Sequence, residues 1–230
     1  MTPPPTLRHP GFSLIELLVV MGVIGLLFAL VIPAIGTFGS AGTFTSAASV
    51  LSETMEEARA YAVSKRTYVY VGIGEFNASA PADTWNTGNG RIALFAAASQ
   101  DGSRIVHASD FATKAQPISR LVRLQNVHLA LITGTGGGLQ RPSDGSVQTL
   151  GSSSGTANMS FPLSGTPRCS FNQCLEFSPQ GMVRFFGSAN LPGFIEIGMA
   201  PTKGDVVIAT QNVAVIQLSG LTGRSTLYRP

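Results

Sequence analysis

The chain predicts an α+β protein: one long N-terminal helix, its first half apolar enough for a membrane, packed on an antiparallel β-sandwich-like globular domain. Three observations carry that prediction. Residues 17–35 are almost wholly Leu, Val, Ile, Ala, Gly, Met and Phe, with no charged side chain. Residues 36–66 keep a helical period but become amphipathic. From residue 67 the period changes to two, and short strand-like segments follow one another with no second helix of note.

Residues 1–11 read as a polar leader without an apolar core of its own, so this stretch is not a secretory signal and the apolar run after it is expected to persist as an anchor. At 1.5 Å per residue, a helix over 12–35 covers the roughly 30 Å of a bilayer core. Arg8 is charged while 17–52 carries no charge, which places the N-terminus in the cytoplasm and the C-terminal domain outside. Glu16 stands at the head of the span. A carboxylate in hydrocarbon costs on the order of 2.5 kcal/mol or more, so either a partner satisfies it or it sits at headgroup level. Pro33 removes a backbone donor inside the span and predicts a kink.

Residues 36–66 continue the helix. Three glycines between 36 and 43 predict a weakened, bent stretch, each costing about 1 kcal/mol relative to Ala. Beyond it, Leu51, Met55, Ala58 and Ala62 share one face, Glu53, Glu56, Glu57 and Arg59 lie mostly elsewhere, and Lys65 and Arg66 close the helix where its dipole favours cations. Residues 67–230 form the β-rich domain, with strands expected at 67–73, 91–97, 120–125, 128–132, 175–178, 182–186, 194–198, 205–209 and 213–218. The polar stretches 77–90 and 134–155 are expected to be mobile surface loops.

Gly11-Phe12-Ser13-Leu14-Ile15-Glu16-Leu17 resembles the processing and assembly motif of type IV pilins and type II secretion pseudopilins. The resemblance implies cleavage after Gly11 by a prepilin peptidase, N-methylation of Phe12, and a Glu16 that meets the terminal amine of a neighbouring subunit. It implies other pilins or pseudopilins as partners, an inner-membrane single-pass precursor, and a C-terminal domain in the periplasm or at the cell surface in a filament. An ammonium and a carboxylate, each costly in lipid, are both satisfied when two such helices pack with the correct axial offset. The stretch from Glu56 to Arg66, Leu175 to Gly181 and Ile216 to Arg224 are similar to the corresponding segments of GspH/FimT-type minor pseudopilins. Residues 74–166 carry no such resemblance.

Within that resemblance the leading function is a minor pseudopilin, a structural and interaction subunit that contacts sister subunits or secreted cargo. The runner-up is a type IV minor pilin binding DNA or surfaces. Some FimT-like pilins use a Gly-Arg-x-Arg terminus in DNA uptake; here Gly223-Arg224 is followed by Ser225-Thr226 and the next arginine is Arg229, so the motif is broken. Arg224 and Arg229 are the candidate DNA contacts. A net charge of +3 with scattered Lys and Arg argues against DNA as the main partner.

No catalytic constellation emerges, and the reading is a non-enzyme without metal or cofactor. Gly134 to Gly138 has the glycines of a phosphate loop, but Leu139 and Gln140 replace its Lys and Ser or Thr. His9, His107 and His128 are far apart in sequence. Cys169 and Cys174 are the only cysteines; their even number and an outward-facing domain favour a disulfide, with two free thiols the alternative.

Overall fold

The computed structural model describes residues 13–81, 84–132, 138–142, 146–150, 159–166, 168–208 and 212–230, with the side chains of 30–41 outside the description. The chain divides into two compact units, Met1–Ser40 and Ala41–Pro230.

In the first unit, helix α1 (Leu14–Lys65) begins on the Ser13 carbonyl, which accepts from the Glu16 and Leu17 amides at 3.1 and 3.2 Å. The apolar residues of its first turns are all exposed, Leu14 at 82% and Ile15 at 70%. Among the described residues no helix is long and apolar enough to cross a membrane. The side chains described there, 14–29, apolar but for Glu16, make about 16 residues or ~24 Å of helix, short of the roughly 30 Å core. The rest of the expected 12–35 span, with the Pro33 kink, lies outside the described side chains. The backbone stays helical through 36–43, without a break at the three glycines.

In the second unit the helix buries Phe44, Ala47, Ala48, Leu51, Met55, Ala58 and Ala62, each at most 4% exposed. Their spacing of three and four keeps them on one stripe, the arrangement expected for 51–62 and extended here to residue 44. Two sheets share a core cluster with this stripe. In the first, the order is β10 (Val183–Phe185), β9 (Gln173–Phe177), β1 (Val69–Asn77), β2 (Gly90–Ser99), β3 (Ala115–Pro117), and β4 (Val122–Gln125) also pairs with β2. In the second, the order is β12 (Val206–Val207), β11 (Phe194–Lys203), β13 (Ala214–Ser219), β14 (Ser225–Tyr228), with β5 (Val127–Leu129) and β6 (Val147–Thr149) also on β11. Every described pairing is antiparallel except β6 with β11.

The first sheet is covered on both faces, which is why β2 is buried at every position. Val69, Val71 and Ile73 point into the cluster shared with the helix. Tyr70, Phe95 and Cys174 point the other way, into a second cluster closed by the hairpin strands β7 (Met159–Phe161) and β8 (Cys169–Phe171) and by Phe111 of the one-turn helix α2 (Phe111–Lys114). The Phe171 ring packs against Gly72, where a Cβ would stand 2.9 Å from two ring carbons, so glycine is what lets the hairpin settle.

Every strand segment expected from periodicity coincides with an observed strand, although ends shift by a few residues. The three-residue strands β3, β6, β7 and β8, and β14, were not anticipated. Stretch 77–90 is not a free surface loop in its described part: the buried Arg91 guanidinium donates to the carbonyls of Ala78, Ala80, Pro81 and Thr84, and Arg123 sits 4.8 Å over the Trp85 ring. Stretch 134–155 contains β6, and most of the remainder lies outside the described residues.

Candidate functional site

The N-terminal candidate is built by the start of α1. Gly11 and Phe12 lie outside the described residues, and Glu16 occupies the first helical turn, where the helix dipole favours an acid. Its side chain is exposed and its carboxylate has no hydrogen-bond or ion-pair partner among the described residues. Leu14, Ile15, Leu17 and Leu18 around it are between 59% and 82% exposed. An acid set in an exposed apolar sleeve can accept a cation brought by another chain once the sleeve leaves water.

The three inner segments singled out in the sequence converge on one junction. Arg59 of α1 donates through Nε to the Thr222 carbonyl at 2.6 Å, and Glu56 accepts the Ser225 amide. The Val183 amide donates to the Gly220 carbonyl at 2.8 Å. Gly181 and Gly223 meet there at φ of +86° and +64°, and a Cβ on Gly223 would run into the Gly181 carbonyl. Helix, strand-turn 175–181 and terminal turn 219–224 are thus one structural lock, a relation their separation in the chain concealed.

Arg224 and Arg229 are not brought together. Arg224 is exposed in the turn before β14. Arg229 lies beyond the strand, about 17 Å of extended chain later, and folds back on the helix. Its Nη1 donates to Thr45 Oγ1 at 3.0 Å, its guanidinium stands 5.7 Å over the Phe44 ring, and its Nε and Nη2 are buried without a hydrogen-bond partner.

The cysteine bridge is not formed. Cys169 and Cys174 are both buried free thiols. The chain changes sheets between them, Cys169 facing Phe161 across the β7–β8 hairpin and Cys174 facing Gly72 on the first sheet. Cys174 Sγ lies 3.9 Å from Met159 Sδ. Burial pushes the Cys169 thiol up to about 11 and the Cys174 thiol higher still, with the Glu176 carboxylate adding to the second.

Charged groups that sequence reading left unassigned form buried pairs. Glu176, fully buried, accepts from Arg104 Nε at 2.8 Å and Arg184 Nε at 2.9 Å. Glu196 takes both a forked pair from Arg141 and the Gln217 amide. Beside Glu176, Tyr70 receives the Ile105 amide on its hydroxyl at 2.6 Å, and burial raises its ionisation well above the usual phenol range. His128 is committed to Glu75 at 2.8 Å. Among the described residues no group of three His, Cys, Asp or Glu gathers as metal ligands.

Residues 7–32 match the family model described as the prokaryotic N-terminal methylation motif. The chain carries a prepilin-type N-terminus. The match spans Gly11, Phe12, Glu16 and the first turns of α1, and it supports a type IV pilin-like protein that is processed by a prepilin peptidase and interacts with other pilins. No curated protein and no solved structure matches the chain. The α+β architecture, with an N-terminal helix and antiparallel sheets, is compatible with a pilin-like fold.

Proposed function

We propose that the protein is a minor pseudopilin, a structural and interaction subunit of a type II secretion pseudopilus or a related type IV pilus-like filament. The prepilin peptidase cuts after Gly11, Phe12 becomes the methylated amino terminus, and α1 holds the precursor in the inner membrane with its domain outside. In the filament, Glu16 receives the terminal ammonium of a neighbouring subunit. The observation that carries this reading is the prepilin-type motif placed on a helix whose single early acid has no partner within its own chain among the described residues. The convergence of the GspH/FimT-like segments on the Arg59, Gly181 and Gly223 junction supports the subtype.

The experiment isolates the protein from cells with an intact secretion or pilus system and measures its intact mass, then repeats the assembly assay with Glu16→Ala. The expected mass is that of a chain beginning at N-methylated Phe12. The expected variant inserts normally and is depleted from sheared filaments about tenfold or more, because an ammonium left without its acid in lipid is costly. Retention of Met1 in filaments, or normal incorporation of the variant, would sink the reading.

A further inference from the structure

The first sheet is incomplete along β1. β9 accompanies β1 only from Val69↔Phe177 to Ile73↔Gln173, and the next described contact on that side is the lone Phe76↔Thr87 bridge. Gly74 and Glu75 therefore have β2 on one side and, among the described residues, no strand on the other. A cavity of about 560 Å³ lies at this gap, within the size range of ligand pockets. Asn89 lines it from the loop before β2, Trp85 from the same loop, and Arg168 and Asn172 from the two ends of β8.

Charge decides what the cavity takes. The Glu75 carboxylate is fully engaged: His128 Nδ1 reaches its two oxygens at 2.8 and 3.0 Å, and the Gly90 and Leu129 amides donate at 3.0 and 3.2 Å. Its side chain is 13% exposed. Arg168 is exposed and its guanidinium has no acid partner among the described residues. The amides of Asn89 and Asn172, both exposed, each offer donors and an acceptor, the complement of a peptide group.

We propose that this gap binds a short extended segment of a partner protein that carries an aspartate or glutamate. Its main chain lies along the open edge at Gly74 and Glu75 and bonds to Asn89 and Asn172, in the manner of strand addition. Its carboxylate forks onto Arg168, whose planar donors match it. The groove works in this way whether or not the chain enters a filament.

Trp85 is the chain's one tryptophan and lines the cavity, so its emission reports occupancy. The test titrates the full chain in detergent micelles with the blocked pentapeptide Thr-Val-Asp-Val-Thr, its Asn counterpart and maltotriose. A saturable emission change is expected with the Asp peptide. Affinity should fall about tenfold or more for the Asn peptide and for Arg168→Ala, roughly the loss of a charge-assisted contact. Arg168 has an exposed side chain, and should that variant fail to fold, the Asn peptide still decides. No binding of the Asp peptide at millimolar concentration, equal affinity for Asp and Asn peptides, or saturable binding of maltotriose in their place would each overturn the proposal.

Discussion

At the residue scale, the protein keeps its reactive groups out of water or assigned to one another. The two thiols are the clearest case. Burial holds Cys169 near a pKa of about 11 against an ordinary value of 9.0. Between those values the unfolded chain has lost the proton and the folded chain keeps it. The native state then binds more protons than the unfolded one, and stability falls as pH rises through that window. Thermal unfolding from pH 8 to pH 11 should therefore show a declining Tm, and Cys169→Ala should flatten the decline. At neutral pH both thiols should resist maleimide in the native chain and react fully in denaturant. Fast native labelling, or a pH profile unchanged by the substitution, would contradict the burial account. The sequence suggested a bridge because the cysteines are two in number and the domain is expected to face outward; four residues lie between them. It could not show that those four residues carry the chain from one sheet to another.

At the scale of elements, the lock between α1 and the two glycine turns is a place where one added methyl group damages the second unit. Gly223 adopts a left-handed conformation with its Cα against the Gly181 carbonyl, and Arg59 Nε caps Thr222 from the helix. Gly223→Ala adds about 1–2 kcal/mol of backbone strain and a steric collision besides. A total loss of about 2–4 kcal/mol in urea unfolding is expected. Gly187, also at positive φ but with nothing within 4 Å of a built Cβ, serves as the control, and Gly187→Ala should cost about 1–2 kcal/mol from the backbone alone. Equal costs at the two positions would remove the lock from the account. The seam was legible because Leu51, Met55, Ala58 and Ala62 repeat at helical spacing. The lock was not, because Arg59 and Thr222 lie 163 positions apart and meet only through the strand order.

At the scale of the whole molecule, the terminal arginines separate filament subunit from DNA-uptake pilin. A DNA site needs several cations facing phosphates together, and its affinity falls steeply with salt as counterions are released. Arg224 stands alone at one end of β14 and Arg229 is turned onto Phe44 and Thr45 at the other. Duplex DNA should accordingly bind the full chain weakly and come off near physiological salt. A salt titration checks this, with Arg224→Ala changing the slope by about one phosphate contact. Tight, salt-resistant binding abolished by Arg224→Ala would promote the DNA reading over the secretion one.

What the sequence by itself determined is local: an apolar N-terminal helix carrying the processing motif and Glu16, a helical seam of period 3.6, and strands of period two. Those features depend on near neighbours, so spacing alone reveals them. Tertiary structure alone decided which distant groups share a partner. Arg104 meets Glu176 across 72 positions and Arg141 meets Glu196 across 55, and no period marks such pairs because a single ionic contact leaves no repeat in the chain. The gap at Gly74 and Glu75 belongs to the same class. It exists because β9 turns aside into the β7–β8 hairpin two residues before β1 gains its next partner, and an edge left open by topology has no signature in the residues that form it.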